Sequence, residues 1–127
     1  QAALAGSVKV GNGAILGGYA IVHQYCSLGE YSFCAMGSAV SKDIPAYVKV
    51  SGNPAKPFGI NSVGLKRWGF SKEVVESIKS AYRILYRKKL TTDEALKELK
   101  IFNSELNHEE IDSFISSVEA STRGISR

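Results

Sequence analysis

From Leu4 to Val40 the chain reads LAGSVKVGNGAILGGYAIVHQYCSLGEYSFCAMGSAV. Every sixth residue is apolar: Leu4, Val10, Leu16, Val22, Leu28, Cys34 and Val40. Four places after each comes a small or medium side chain, in Val8, Ala14, Ala20, Cys26, Ser32 and Ser38, and glycine often follows the apolar residue directly, as at Gly11, Gly17 and Gly29. A helix repeats its apolar face every 3.6 residues and a half-buried strand every two, so a register of six that never slips belongs to neither. It fits a coil in which each hexad forms one flat face of a triangle. The aliphatic residue then fills the lumen, the small one sits near the tight corner, and glycine permits the turn.

Charge divides the chain in two. Residues 1–50 carry only Lys9, Glu30, Lys42, Asp43 and Lys49, with seven of the 12 glycines, whereas the remaining 77 positions carry 23 charged residues. The join is SGNPAKP, residues 51–57, where two prolines and a glycine forbid a continuing helix. Beyond it, Ser71 precedes Val74, Val75, Ile78, Ala81, Tyr82 and Leu85, whose spacing predicts an amphipathic helix of about 17 residues. Thr91 with Glu94 and Asn107 with Glu110 fit capping boxes ahead of two further apolar stripes, Ala95, Leu96, Leu99 and Ile111, Phe114, Ile115, Val118. A short helix is expected around Val63 to Trp68. The expected organisation is a β-helix over 1–50, a linker over 51–58 and an α-helical domain over 59–127.

Composition narrows the function. With 127 residues and a net charge of +4, the chain is one domain or a short domain with an appendage, and so mild a surplus does not indicate a nucleic-acid binder. No apolar run approaches the roughly 20 residues of a membrane-spanning helix, and no secretory leader pattern is present, which predicts a soluble cytoplasmic protein. Cys26 and Cys34 read as buried, inert thiols, and with His23 and His108 they give no zinc-ligand spacing, so no metal is expected. The hexads begin almost at Gln1 without a polar cap. Because a bare first rung exposes strand backbone, the sequence is expected to be the carboxy-terminal part of a longer β-helix.

These hexads resemble those of the hexapeptide-repeat acyltransferases, which implies a left-handed parallel β-helix with three hexads per coil. HQ within a hexad, DIPAYV, SGNPAKPFGIN, GLKRWGFS, AYRILYR and the terminal STRGISR narrow the resemblance to the UDP-N-acetylglucosamine acyltransferases that open lipid A biosynthesis. It covers essentially the whole chain. It implies a homotrimer that moves a 3-hydroxyacyl group from the phosphopantetheine of acyl carrier protein to the sugar 3-hydroxyl, with no cofactor of its own. The general-base histidine of that family lies upstream of Gln1.

The resemblance also assigns residues. Gly6, in Leu4-Ala5-Gly6, matches the glycine whose backbone N–H meets the developing oxyanion; from the residues alone it is equally a turn glycine. His23 and Gln24 match residues that line the cleft between subunits, and Asn61 and Arg67 match contacts to the nucleotide. Arginine suits that task because its guanidinium forks onto phosphate oxygens and stays charged. Met36 matches the acyl-length determinant, where a bulky side chain favours shorter acyl groups, with Phe33 the next candidate. Lys79, Arg83 and Arg87 recur every four residues, either a solvated helix face or a dock for the acidic carrier protein. Ser7, Pro54, Val63 and Trp68 depart from the family pattern, where histidine, histidine, an acidic residue and a basic residue are usual. These departures leave open an altered nucleotide grip or a modified sugar. A trimerisation scaffold without activity, or another hexapeptide-repeat activity, remain the alternatives.

Overall fold

Each hexad makes two residues of strand and one turn. A computed structural model describes residues 2–121 and 124–127; Thr122 and Arg123 of the terminal motif, like Gln1, lie outside the described residues. Seven two-residue strands follow the repeat: β1 (Ala3–Leu4), β2 (Lys9–Val10), β3 (Ile15–Leu16), β4 (Ile21–Val22), β5 (Ser27–Leu28), β6 (Phe33–Cys34) and β7 (Ala39–Val40). They stack in parallel at an offset of one coil, Leu4 on Val22, Val10 on Leu28, Leu16 on Cys34, and Val22 on Val40. Three sheets result, one per face of a triangular coil. The second residue of each strand points inward. Val22, Leu28, Cys34 and Val40 are buried, while Leu4 and Val10, in the first coil, are about half exposed at 49% and 45%. Burial pushes the Cys34 thiol up to about 11, which keeps it protonated and unreactive.

The last coil is two residues shorter. Leu28 bridges Ile44 and Cys34 pairs with Val50, so the lumen column continues through Ile44 and Val50 after the six-residue register has ended. β8 (Val48–Ser51) then turns back into β9 (Lys56–Ile60), which pairs antiparallel with it. Residues 51–58, expected as a linker, therefore hold a hairpin turn and the first part of a strand. Gly52, with φ 97°, supplies a conformation other residues rarely adopt.

The corners correct the expected role of glycine. Backbone bonds from Ala14 to Gly11, Ala20 to Gly17, Cys26 to His23, Ser32 to Gly29 and Ser38 to Ala35 close five successive turns. Positive φ falls at the third turn position, on Gly13, Tyr19, Tyr25, Tyr31 and Gly37, the pattern of type II turns. Gly11, Gly17 and Gly29 stand at the first position with negative or extended φ. They are needed for another reason: a Cβ on Gly11 would lie 2.7 Å from Glu30 N, and one on Gly17 2.5 Å from Met36 N. Glycine at these places lets one coil rest on the next.

Four helices follow: α1 (Ser62–Arg67), α2 (Lys72–Tyr86), α3 (Thr92–Leu106) and α4 (Glu109–Glu119). Ser71 caps α2, and Thr91 and Glu94 form the expected reciprocal box on α3. The second box does not form. Asn107 is the left-handed C-cap of α3 (φ 52°), and His108 is the N-cap of α4, with no side-chain cap bond. Asn103 takes over, its amide bonding His108 N, His108 O and Asp112 Oδ1. The helices are tied to the coil through tyrosines at one corner. Tyr47 stacks between Tyr31 and Phe114, and its hydroxyl donates to Glu110 O at 2.9 Å. Burial raises its pKa well above that of a free phenol.

Candidate functional site

The residues singled out in the sequence fall into three places. The first is the corner after β1, β4 and β7. Gly6 lies one coil below Gln24, and Tyr25 N donates to Gly6 O at 3.3 Å. His23 and Gln24 are both exposed, and His23 N donates to Val40 O at 2.8 Å, which fixes the backbone beneath the imidazole. A Cβ on Gly6 would meet nothing within 4 Å, and Gly6 is not among the positive-φ glycines. Neither packing nor backbone conformation asks for glycine there, so what its absent side chain leaves open is access to the main chain. Ser7, beside it, takes a positive φ of 62°.

The same corner is closed above by the carboxy-terminal tail. Asp43 is 5% exposed, accepts from Ser27 N at 2.8 Å through Oδ1, and pairs its backbone with Gly124 and Ser126. Pro54 borders a small cavity here, together with Lys42, Lys56 and Arg127.

The second place is a pocket of about 360 Å³ between the third face and α1. Ile15, Phe33 and Lys49 project into it from β3, β6 and β8, Phe58 from β9, and Asn61, Val63 and Arg67 from the start and end of α1. Thus Asn61, Arg67 and Phe33 come together, as does Val63. Asn61 is 6% exposed and bound on both sides: Nδ2 donates to Tyr31 O at 3.2 Å, and Oδ1 accepts from Gly64 N at 3.3 Å as the cap of α1. Its first duty is to orient α1, which in turn aims Arg67. Arg67 itself is exposed, and no salt bridge engages it among the described residues. Trp68 is 60% exposed and sets its ring against the edge of Tyr31 at 5.5 Å. Phe58 and Lys49 were not singled out from sequence. The signal for Lys49 was present: it is the lone charge in the alternating stretch AYVKVSG.

Met36 is elsewhere, at the next corner along the chain, 76% exposed, with its backbone resting on Gly17. Within a single chain it fills no groove. The third place is a basin of about 640 Å³ that gathers Lys79 and Arg83 from α2 and Arg87 from its C-cap beside Tyr82, Gly59 and Ile60. Arg87 lies over the Tyr82 ring at 5.9 Å. Lys79 makes a loose, exposed pair with Glu76 at 3.4 Å, which contributes little in water. Among the described residues there is no cluster of three potential metal ligands and no helix long and apolar enough to cross a membrane.

The family model described as Udp N-acetylglucosamine O-acyltransferase, domain 2, matches residues 43–126. The Acyl-[acyl-carrier-protein]--UDP-N-acetylglucosamine O-acyltransferase of Stutzerimonas stutzeri is 50% identical over 125 residues, 98% of this chain and 48% of the relative, and that of Pseudomonas putida is 47% identical over the same span. Among solved structures, the UDP-N-acetylglucosamine acyltransferase of Francisella novicida superposes with a TM-score of 0.93 at 38% identity, covering 99% of this chain and 46% of that one. LpxA of Acinetobacter baumannii gives 0.92 at 38% identity, with 99% and 48% covered. The chain spans about half the length of the curated relatives it matches. The chain, from its stacked hexads through the hairpin to its helical end, superposes on about half of each of those structures, and it belongs to the UDP-N-acetylglucosamine O-acyltransferase family, with a left-handed parallel β-helix followed by a helical carboxy-terminal domain.

Proposed function

We propose that the protein carrying this sequence transfers a 3-hydroxyacyl group from acyl carrier protein to the 3-hydroxyl of UDP-N-acetylglucosamine, the first step of lipid A biosynthesis in the cytoplasm of a Gram-negative-type bacterium. The observation that carries the reading is the pocket that joins Asn61 and Arg67 of α1 to Phe33 of the third face, in a chain half identical to relatives of that name. Arg67 clamps the phosphates of the nucleotide, and Asn61 holds the helix that presents it. The protein is a homotrimer in which the exposed His23 and Gln24 meet the sugar across a subunit boundary. The Gly6 N–H meets the oxyanion that forms as the sugar hydroxyl attacks the thioester carbonyl and gives its proton to a histidine upstream of Gln1; the C–S bond then breaks, and the phosphopantetheine leaves as the thiol, taking that proton. Met36 projects from its corner toward a neighbouring subunit and limits the acyl chain to shorter lengths, with Phe33 on the adjacent face as the second wall. The basin of Lys79, Arg83 and Arg87 receives the acidic carrier protein, whose phosphopantetheine delivers the acyl group.

The test is steady-state kinetics of the full-length protein. Arg67→Ala removes charge-assisted bonds to phosphate, so the KM for the UDP-sugar should rise on the order of tenfold or more, with little change in KM for the acylated carrier. Equal effects on both substrates would count against the assignment of this pocket to the nucleotide.

A further inference from the structure

The nucleotide pocket contains a second cation, on the sheet rather than on the helix. Lys49 is the outward residue of β8, paired in parallel with Phe33 and antiparallel with Gly59. Its aliphatic stem lies across Gly59, where a Cβ would stand 3.9 Å from Lys49 Cε. Its ammonium sits over the Phe58 ring, 4.8 Å from the centroid, where the ring quadrupole attracts a cation. A surface lysine normally samples many rotamers and loses that freedom on gripping a ligand. One held at stem and head loses less.

The surroundings point to an anion. Lys49 and Arg67 line one pocket, whose other walls include Ile15, Phe33, Phe58 and Val63, and no carboxylate lines it. Neither cation forms a salt bridge among the described residues. Two positive charges lining one partly apolar pocket repel one another until a negative group joins them. The apolar walls meanwhile suit a flat ring. The residue after Arg67, Trp68, brings no charge, so the sheet is where a second positive charge is found.

We propose that Lys49 is a specificity-determining residue of this pocket, binding the diphosphate of the nucleotide sugar opposite Arg67. The inference rests on the nucleotide reading given above. Calorimetric titration of the full-length protein with UDP and with uridine tests it. Lys49→Met keeps the stem and removes the charge; it should weaken UDP by about tenfold or more and uridine by less than about twofold, and Lys49→Arg should restore most of the UDP affinity. Phe58→Leu, which leaves the lysine but removes the ring beneath it, should also weaken UDP selectively, by a smaller factor. Equal weakening of UDP and uridine would make Lys49 a shaping residue only, and unchanged affinity for both would make it a solvated lysine; either result overturns the inference while leaving the nucleotide reading intact. A wild-type protein that binds neither probe overturns the nucleotide reading, and this inference with it.

Discussion

Two glycines of the coil look alike in sequence and differ in physics. Gly29 abuts the backbone of the next coil, where an added Cβ would press on Ala46 N and lie 2.6 Å from Ala46 Cα. Main chain on both sides cannot yield as a side chain can, so Gly29→Ala should destabilise the fold by roughly 3 kcal/mol, the upper range for overpacking. Gly6→Ala meets open space and should leave stability within about 0.5 kcal/mol of wild type. In the proposed reaction its methyl group would nevertheless stand where the acyl carbonyl approaches the Gly6 N–H. Turnover of the full-length protein should then fall by roughly a hundredfold, the scale of a lost oxyanion donor. Thermal melts and kcat for the two variants read both effects; a Gly6→Ala protein with normal turnover removes Gly6 from the chemistry. At this scale the sequence revealed which residues fill the lumen, because the six-residue register is covalent. It did not reveal the turn conformers. Tyr19, Tyr25, Tyr31 and Tyr47 hold positive φ of 56° to 70°, a place where glycine or asparagine is the usual expectation. At Tyr31 and Tyr47 the rings pack against Trp68, Phe70 and Phe114 of the helical part, and contacts so distant in the chain leave no local mark.

The helices show where local signals suffice. At the start of α3 the Glu94 side chain accepts from Thr91 N at 2.9 Å, and Thr91 Oγ1 accepts from Glu94 N at 3.2 Å. The bond from Thr91 N foremost, and the Thr91 hydroxyl after it, hold the Glu94 carboxyl below its ordinary value of 4.5. A depressed folded-state pKa means that the carboxylate stabilises the fold above the ordinary value, and that this stabilisation is lost as pH falls through 4.5 toward the lower folded pKa. Melting temperature should therefore drop across that acidic window by more in wild type than in Glu94→Gln, which is measured by parallel melts at stepped pH. Identical slopes would show that the box is open in solution. The pair at Asn107 and Glu110 matched the same four-residue pattern and did not cap, because Asn107 is taken by the end of α3 and the buried Asn103 amide already ties His108 and Asp112. A capping pattern read locally cannot know that a neighbouring helix has claimed the residue. The hairpin of β8 and β9 was hidden for a related reason: its prolines and glycine mark a turn, but the pairing partner of Lys56–Ile60 is fixed only once the last coil presents β8 as an edge.

Across the whole molecule, the two architectures divide the work by charge. The coil carries few charged groups and offers backbone and neutral side chains at its corners, whereas α2 with its C-cap concentrates Lys79, Arg83 and Arg87 around one basin beside β9. Apart from the loose Lys79–Glu76 pair, no salt bridge neutralises these three among the described residues. A cationic basin of that kind speeds encounter with an acidic partner through its long-range field, more than it strengthens the final complex. Reversing Lys79 and Arg83 to Glu should therefore slow association with acyl carrier protein and lower kcat/KM for the acylated carrier. The KM for the UDP-sugar, whose proposed pocket does not include Lys79 or Arg83, should stay near wild type. The defect should be largest at low ionic strength and shrink as salt rises, because at about 0.15 M the screening length is already near 8 Å. Stopped-flow association over a salt series separates this from simple misfolding, which would not recover with salt. Unchanged rates at low salt would leave α2 with a solvated basic face and remove the basin from the proposed docking of the carrier protein.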